Sequence, residues 1–250
     1  MSINRNQFTG KAELYSKYRP DYPEQLIIDL IAEQSLNEKS VIADIGSGTG
    51  ILTKKLLDAH LQVIAVEPNR EMREIAENLL NDYEHFTSVN GTAENTTLAS
   101  NSINLITVAQ AFHWFDHKKF KNECKRILKS DGKVCIVSNM RSTDTTIIQE
   151  IIELYRSCCP NFKGFSNGIS ATAFEEFFAD KGCKVTSYSN PLLYSRTDFV
   201  GRHLSASYAP KKGEKTYELL VHGLNNLFDK YSEEGQIMIP NATRSYCGYI

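Results

Sequence analysis

Between Val41 and Gly50 the chain reads VIADIGSGTG, an apolar run that ends in an acid and opens into three alternating glycines. Val41, Ile42, Ala43 and Ile45 suit a buried strand, while Gly46, Gly48 and Gly50 let the backbone turn tightly and approach a ligand with no Cβ in the way. Ile51, Leu52, Leu56 and Leu57 then recur at helical spacing, which predicts a helix from Ile51 to about Ala59. A glycine loop between a strand's carboxyl end and a helix's amino end is where open α/β sheets take their ligands.

The glycine spacing separates two ligand classes. A dinucleotide fingerprint needs GxGxxG, whereas this array is GxGxG, with its third glycine one residue early. Asp44 would repel a pyrophosphate but can accept hydrogen bonds from an ammonium group or from loop amides. A second apolar strand, Leu61 to Val66, ends at Glu67, where a carboxylate can take both hydroxyls of a ribose. S-adenosylmethionine is a ligand with both a ribose and an amino acid end.

DIGSGTG followed by VEPNREM resembles the first motif and acidic loop of class I S-adenosylmethionine-dependent methyltransferases, in the group called methyltransferase type 11. The resemblance implies S-adenosylmethionine as cofactor, held by Asp44, Gly46, Ser47, Gly48, Thr49, Gly50, Glu67 and Pro68. Residues Pro68 to Met72 start another helix, with Ile75, Ala76, Leu79 and Leu80 on one side. Met72 is core filler on pattern alone, and packs against adenine on the resemblance. After a third strand at about His85 to Asn90, Gly91 to Glu94 resembles the family's next motif. There Glu94 accepts from the adenine amino group and the Ala93 amide faces a ring nitrogen, although Glu94 also reads as a solvated loop acid.

The apolar run Ile103 to Ala109 leads into AQAFHWFD, which is similar to the family's fourth motif, a loop lining the methionine moiety and the reacting centre. This places Gln110, Ala111 and Phe112 at the cofactor, with His113 and Trp114 at the acceptor. His113 reads as a general base, a substrate hydrogen-bond donor or a wall residue. Trp114, the only tryptophan, offers an aromatic face to a sulfonium and is equally a good core residue.

Upstream, YSKYRPDYP resembles the amino-terminal signature of the same family and implies a cover over the cofactor, with Tyr18 and Arg19 reaching the methionine carboxylate. On pattern alone Lys11 to Tyr18 forms a short helix that Pro20 stops, its tyrosines docking it on the domain. Asp21 reads as the N-cap of a helix to about Glu33, with Pro23 in its first turn and Leu26, Ile27, Leu30 and Ile31 inward.

Asp116 caps a helix to about Leu128 that turns Phe120, Cys124, Ile127 and Leu128 inward, and Asp131 and Gly132 turn the chain into a fifth strand, Lys133 to Ser138. Strands alternating with helices predict a doubly wound parallel sheet with right-handed crossovers. Beyond 139 the pattern predicts helices at Thr145 to Tyr155, Ala171 to Ala179, Thr197 to Tyr208 and Tyr217 to Tyr231. A loop is expected at CCPNFKGFSNG and strands at about Cys183 to Ser189 and Gln236 to Ile250. The resemblance makes those two strands the antiparallel hairpin of a seven-stranded, Rossmann-like α/β sheet with a helical lid. It divides the chain into a cofactor-binding core with its cover, 1–138, and lid insertions plus the last two strands, 139–250. In the lid, RHLSASY resembles a segment facing the acceptor. Its Arg202, Ser207 and Tyr208 suit a carboxylate or other oxygen-rich molecule, and the same pattern also describes an amphipathic helix with a polar outer face.

With 28 basic and 30 acidic residues and a net charge of -2, no overall field draws the chain to nucleic acid or to an anionic membrane, so a small molecule is the expected partner. Six cysteines without a CxxC pair read as reduced thiols, and no apolar signal core or run of ~20 apolar residues appears, so a cytoplasmic location is expected. No histidine and carboxylate set has metal-ligand spacing. The leading reading is methyl transfer from S-adenosylmethionine to a small acceptor, in a pattern similar to trans-aconitate type carboxyl methyltransferases and to unassigned type 11 members. An NAD-dependent oxidoreductase and a non-catalytic S-adenosylmethionine-binding protein are the alternatives.

Overall fold

Strand runs that alternate their buried side chains between two faces need helices on both, and the chain supplies them in order. A computed structural model describes residues 21–141, 144–165, 171–179, 181–206 and 208–250. The expected helix at 11–18 lies outside these, as do Tyr18, Arg19 and Ser207. The described chain forms two units, one within 1–139, 168–188 and 243–250, the other within 140–167 and 189–242.

The first unit begins with α1 (Glu24–Glu33), β1 (Val41–Ile45), α2 (Ile51–Asp58), β2 (Gln62–Val66), α3 (Arg70–Leu80), β3 (Phe86–Val89) and β4 (Ile103–Ala109). A 3-10 turn (Phe112–Trp114), α4 (His117–Ile127) and β5 (Leu128–Arg141) follow. After α5 (Thr146–Cys158) of the second unit, α6 (Ala171–Phe178) and β6 (Cys183–Ser189) return to the first. The chain continues through β7 (Leu192–Ser195), α7 (Arg196–Leu204), α8 (Tyr217–Tyr231), β8 (Ser232–Glu233) and β9 (Gln236–Ile239), and closes with β10 (Asn241–Gly248).

Seven strands form one sheet in the order β3-β2-β1-β4-β5-β10-β6, a Rossmann-like arrangement with an antiparallel strand near its end. The pairs β1 with β2, β1 with β4, β2 with β3 and β4 with β5 are parallel. Because side chains alternate along a strand, Ile42, Val63, Leu105, Cys135 and Val137 meet Leu26, Leu30, Leu52, Leu56 and Leu80 of α1, α2 and α3. Their sequence neighbours Ala43, Ile45, Ile106, Val108, Val134 and Ile136 meet Phe120, Cys124 and Ile127 of α4 and Phe174, Phe177 and Phe178 of α6. The sheet is thus covered on both faces, which explains why its strands read as continuous apolar runs.

The second unit packs α5, α7 and α8 with a small antiparallel sheet, β7-β9-β8, around Ile147, Ile151, Tyr155, Phe199, Leu224, Phe228 and Ile237. At Gly223 on α8 an added Cβ would lie 2.4 Å from Leu154 Cδ1 of α5, so that glycine permits the close approach of the two helices.

Several boundaries differ from expectation for local reasons. The expected strand Gln236 to Ile250 is two strands, because Pro240 has no N–H to donate and separates β9 in the small sheet from β10 in the large one. The short β7 was not expected at all. Strand β5 starts at Leu128 instead of Lys133, and the expected turn at Asp131 and Gly132 survives as an irregularity in pairing opposite Ile103 and Leu105. Helix α7 stops at Leu204, where Ser205 Oγ donates to the Arg202 carbonyl instead of leaving the helix ladder to continue. Pro23, not Asp21, occupies the N-cap of α1, and it offers no side-chain cap. Asp21 instead accepts from the Tyr22 amide and pairs with Lys55 of α2 at 2.9 Å. Among the described residues, no helix is long and apolar enough to cross a membrane.

Candidate functional site

The parallel register sets Asp44 of β1 beside Thr107 of β4, and the first turn of α2 brings Thr53 over it. Thr53 Oγ1 donates to Asp44 Oδ2 at 2.6 Å and Thr107 Oγ1 to Oδ1 at 2.9 Å. Burial pushes the Asp44 carboxyl up to about 6, against the opposing effect of these hydrogen bonds. Its partners are therefore two hydroxyls and the Thr53 amide of α2, and the residue joins α2 and β4 beneath the glycine loop.

Gly46, Gly48 and Gly50 all have left-handed backbones, at φ +70°, +59° and +84°. An added Cβ at Gly46 would lie 2.6 Å from Ala111 Cβ, and one at Gly50 2.8 Å from Leu80 Cδ1. Gly48 differs, because among the described residues only Met72 Sδ, at 3.9 Å, would meet its Cβ. The described residues therefore leave room above the middle of the loop. The Ser47 and Thr49 hydroxyls beside it are buried and have no hydrogen-bond partner among the described residues. Buried hydroxyls are rarely left so, and both stand in a loop whose geometry is suited to receiving a ligand.

At the tip of β2, Glu67 Oε2 accepts from the Gly48 amide at 2.9 Å and Oε1 from the Asn69 amide at 2.8 Å. Burial raises the Glu67 carboxyl above its ordinary range, while the two amides and Arg73 oppose the shift. Next to it Pro68 precedes the Asn69 N-cap of α3, whose Oδ1 accepts from the Met72 amide. Met72 is buried with its sulfur near Gly48.

After β3, Ala93 is buried and Glu94 Oε1 accepts from the Asp116 amide at 3.0 Å, tying that turn to the loop after β4. Glu94 is therefore more than a solvated acid. In the β4 loop, Ala111 lies against Gly46. Phe112 is 2% exposed, its ring stacked on that of His117 at 4.1 Å and beside that of Phe174 at 5.5 Å. The aromatic ring near the glycine loop belongs instead to Phe115, 3.2 Å from a Cβ built at Gly46, a residue that the sequence pattern did not single out. His113 is exposed, its ring centroid 4.6 Å from that of Trp114. Trp114 is 38% exposed, which removes the core reading of that side chain.

The first unit thus gathers Asp44, Gly46 to Gly50, Glu67, Pro68, Met72, Ala93, Glu94, Gln110 and Ala111 on segments that follow the carboxyl ends of neighbouring strands. In the second unit, the Arg202 guanidinium lies over the Tyr194 ring at 5.6 Å, and Tyr208 packs on Tyr155 and Phe162 at 5.0 and 4.9 Å. His203 and the Tyr155 hydroxyl form a buried hydrogen bond there that the sequence did not foretell. Among the described residues, no group of three or more His, Cys, Asp or Glu is placed to hold a metal ion.

Residues 43–136 match the family model described as methyltransferase domain. Over these residues the chain is similar to methyltransferases of type 11. An uncharacterized methyltransferase of Schizosaccharomyces pombe is 31% identical to it over 145 residues, covering 58% of this chain and 57% of the relative, so the match spans under two thirds of the relative's length. Among solved structures, a candidate type II methyltransferase of Anaeromyxobacter dehalogenans superposes on the methyltransferase fold with a TM-score of 0.71. Its identity is 17%, with 93% of this chain and 98% of the other covered. Phosphoethanolamine N-methyltransferase 2 of Haemonchus contortus, solved with phosphomonomethylethanolamine and S-adenosylhomocysteine, gives a TM-score of 0.57 at 15% identity, covering 99% of this chain and 59% of that one.

Proposed function

We propose that this chain is a methyltransferase that moves a methyl group from S-adenosylmethionine to a small acceptor, with a carboxylate as the favoured acceptor group. The observation that carries the reading is the glycine loop itself: two buried hydroxyls without partners among the described residues, Ser47 and Thr49, stand beside a cradle at Gly48 that those residues leave open and a carboxylate at Glu67. These are the groups that a ligand with an amino acid end and a ribose would use. When bound, S-adenosylmethionine supplies an electrophilic methyl carbon on a sulfonium.

The residues divide the work by their chemistry. Each Glu67 oxygen accepts one amide and keeps acceptor capacity for one ribose hydroxyl. The Ser47 and Thr49 hydroxyls are donors for the amino acid carboxylate, and Met72 and Ala93 offer an apolar wall and an amide to the adenine. Glu94 keeps its second oxygen for the adenine amino group. Trp114 presents a partly exposed aromatic face to positive charge. His113, exposed beside it, takes a proton from any hydroxyl, amine or carbon acid and is a spectator for a carboxylate, which has none to lose. The enzyme's main contribution is to align donor and nucleophile and exclude water. We assign cofactor binding to 1–138 and acceptor recognition to 139–250, with Arg202 and Tyr208 as acceptor contacts.

Incubation with methyl-labelled S-adenosylmethionine and a panel of small carboxylic acids tests this reading. Label recovered in an extractable ester supports it. Label recovered only in an amine or alcohol would replace the acceptor class, and no transfer to any acceptor by a protein that still binds S-adenosylmethionine would favour the non-catalytic alternative.

A further inference from the structure

Gln110, the first residue after β4, has φ +56°. A left-handed backbone is uncommon for a residue other than glycine, asparagine or aspartate, and such strain persists only where the surroundings hold it in place. The holding groups are visible. The Gln110 amide donates to the Val137 carbonyl at 3.0 Å, and its side-chain Nε2 donates to the Asn139 carbonyl at 3.2 Å. Only the amide nitrogen can meet a carbonyl, which fixes the orientation of that side chain. Asn139 is held in turn, because its Oδ1 accepts from Thr243 Oγ1 of β10, a fully buried side chain. Immediately downstream, Ala111 and Phe115 lie against Gly46, too close to leave room for a Cβ there. The backbone turn at Gln110 therefore determines how the β4 loop rests on the glycine loop.

We propose that Asn139 and Thr243 are positioning residues, which through Gln110 hold the β4 loop against the glycine loop in its ligand-binding shape. The proposal rests on the reading of the glycine loop as the cofactor site, and it assigns a task to two residues in the later strands of the sheet.

Trp114, the only tryptophan, sits in the loop concerned and reports on it directly. The experiment measures acrylamide quenching of its fluorescence, together with calorimetric affinity for S-adenosylhomocysteine, in wild type, Thr243→Val and Thr243→Ser. The valine variant should expose Trp114 to the quencher and weaken binding roughly three- to tenfold, and the serine variant, which keeps the hydroxyl, should restore both. A valine variant that melts earlier but keeps wild-type quenching and affinity would overturn the proposal by reducing Thr243 to a core residue. If Thr243→Val does not fold, Gln110→Met removes the Nε2 donor from the half-buried end of the chain of contacts, and unchanged quenching and affinity in that variant would equally overturn it. Wild-type protein that does not bind S-adenosylhomocysteine would contradict the cofactor reading, while the quenching comparison would still decide whether Thr243 positions the loop.

Discussion

The backbone amide of Gly48 donates to Glu67 Oε2 at 2.9 Å, so the middle of the glycine loop and the tip of the neighbouring strand are joined through the carboxylate proposed to hold the ribose. Position and function are coupled at one side chain. Replacing Glu67 with alanine removes the ribose acceptors and frees the loop amide, and should weaken S-adenosylmethionine binding by about 1–3 kcal/mol. Titration calorimetry measures this, and an affinity equal to wild type would remove Glu67 from the site.

The three glycines should part company on substitution. Gly46→Ala and Gly50→Ala bring a Cβ within 2.6 and 2.8 Å of Ala111 and Leu80, so both should lower the melting temperature sharply. Gly48→Ala meets no close neighbour among the described residues and carries the left-handed backbone penalty of about 1–2 kcal/mol. It should fold, yet bind S-adenosylmethionine poorly because the methyl group fills the cradle. Thermal melts beside binding isotherms distinguish the cases, and a Gly48→Ala protein with full affinity would count against a ligand in that space.

Asp44 makes stability depend on pH in a defined window. Burial raises its folded carboxyl to about 6, above the ordinary 3.8, so the folded state holds the proton more tightly. The resulting stabilisation is complete below the unfolded value and is lost as pH rises through about 6, by on the order of 2–3 kcal/mol. Asp44→Asn should therefore flatten the melting temperature between about pH 4 and pH 6. A variant whose pH profile parallels wild type would show that this carboxyl does not carry the dependence.

For a carboxylate acceptor no proton leaves, and His113→Ala should change kcat by less than about threefold. Loss of roughly a hundredfold, with the basic limb of the pH-rate profile removed, would make His113 the general base and the acceptor a protic group.

Much of this architecture is legible in the residues because the central strands are buried on both faces. The runs at Val41–Ile45 and Ile103–Ala109 coincide with β1 and β4. Glu67 and the glycines are legible for a related reason, since a strand end and a left-handed turn each restrict the residue types they accept. What periodicity does not disclose is which way a side chain faces in a short irregular loop. Phe112 and Phe115 are both aromatics of one motif, yet the first enters the core on His117 and the second lies by Gly46. Long-range partners are equally silent: Asp44 and Thr107 are 63 residues apart and meet only through strand register. The strand break at Pro240 was readable from its missing N–H.

The central claim is that the glycine loop and Glu67 bind S-adenosylmethionine, and calorimetric titration of the purified protein with S-adenosylmethionine, S-adenosylhomocysteine and NAD tests it most directly. The account predicts binding of the first two and none of the third, with the affinity weakened in Glu67→Ala. Binding of NAD alone would contradict it and return the loop to a dehydrogenase.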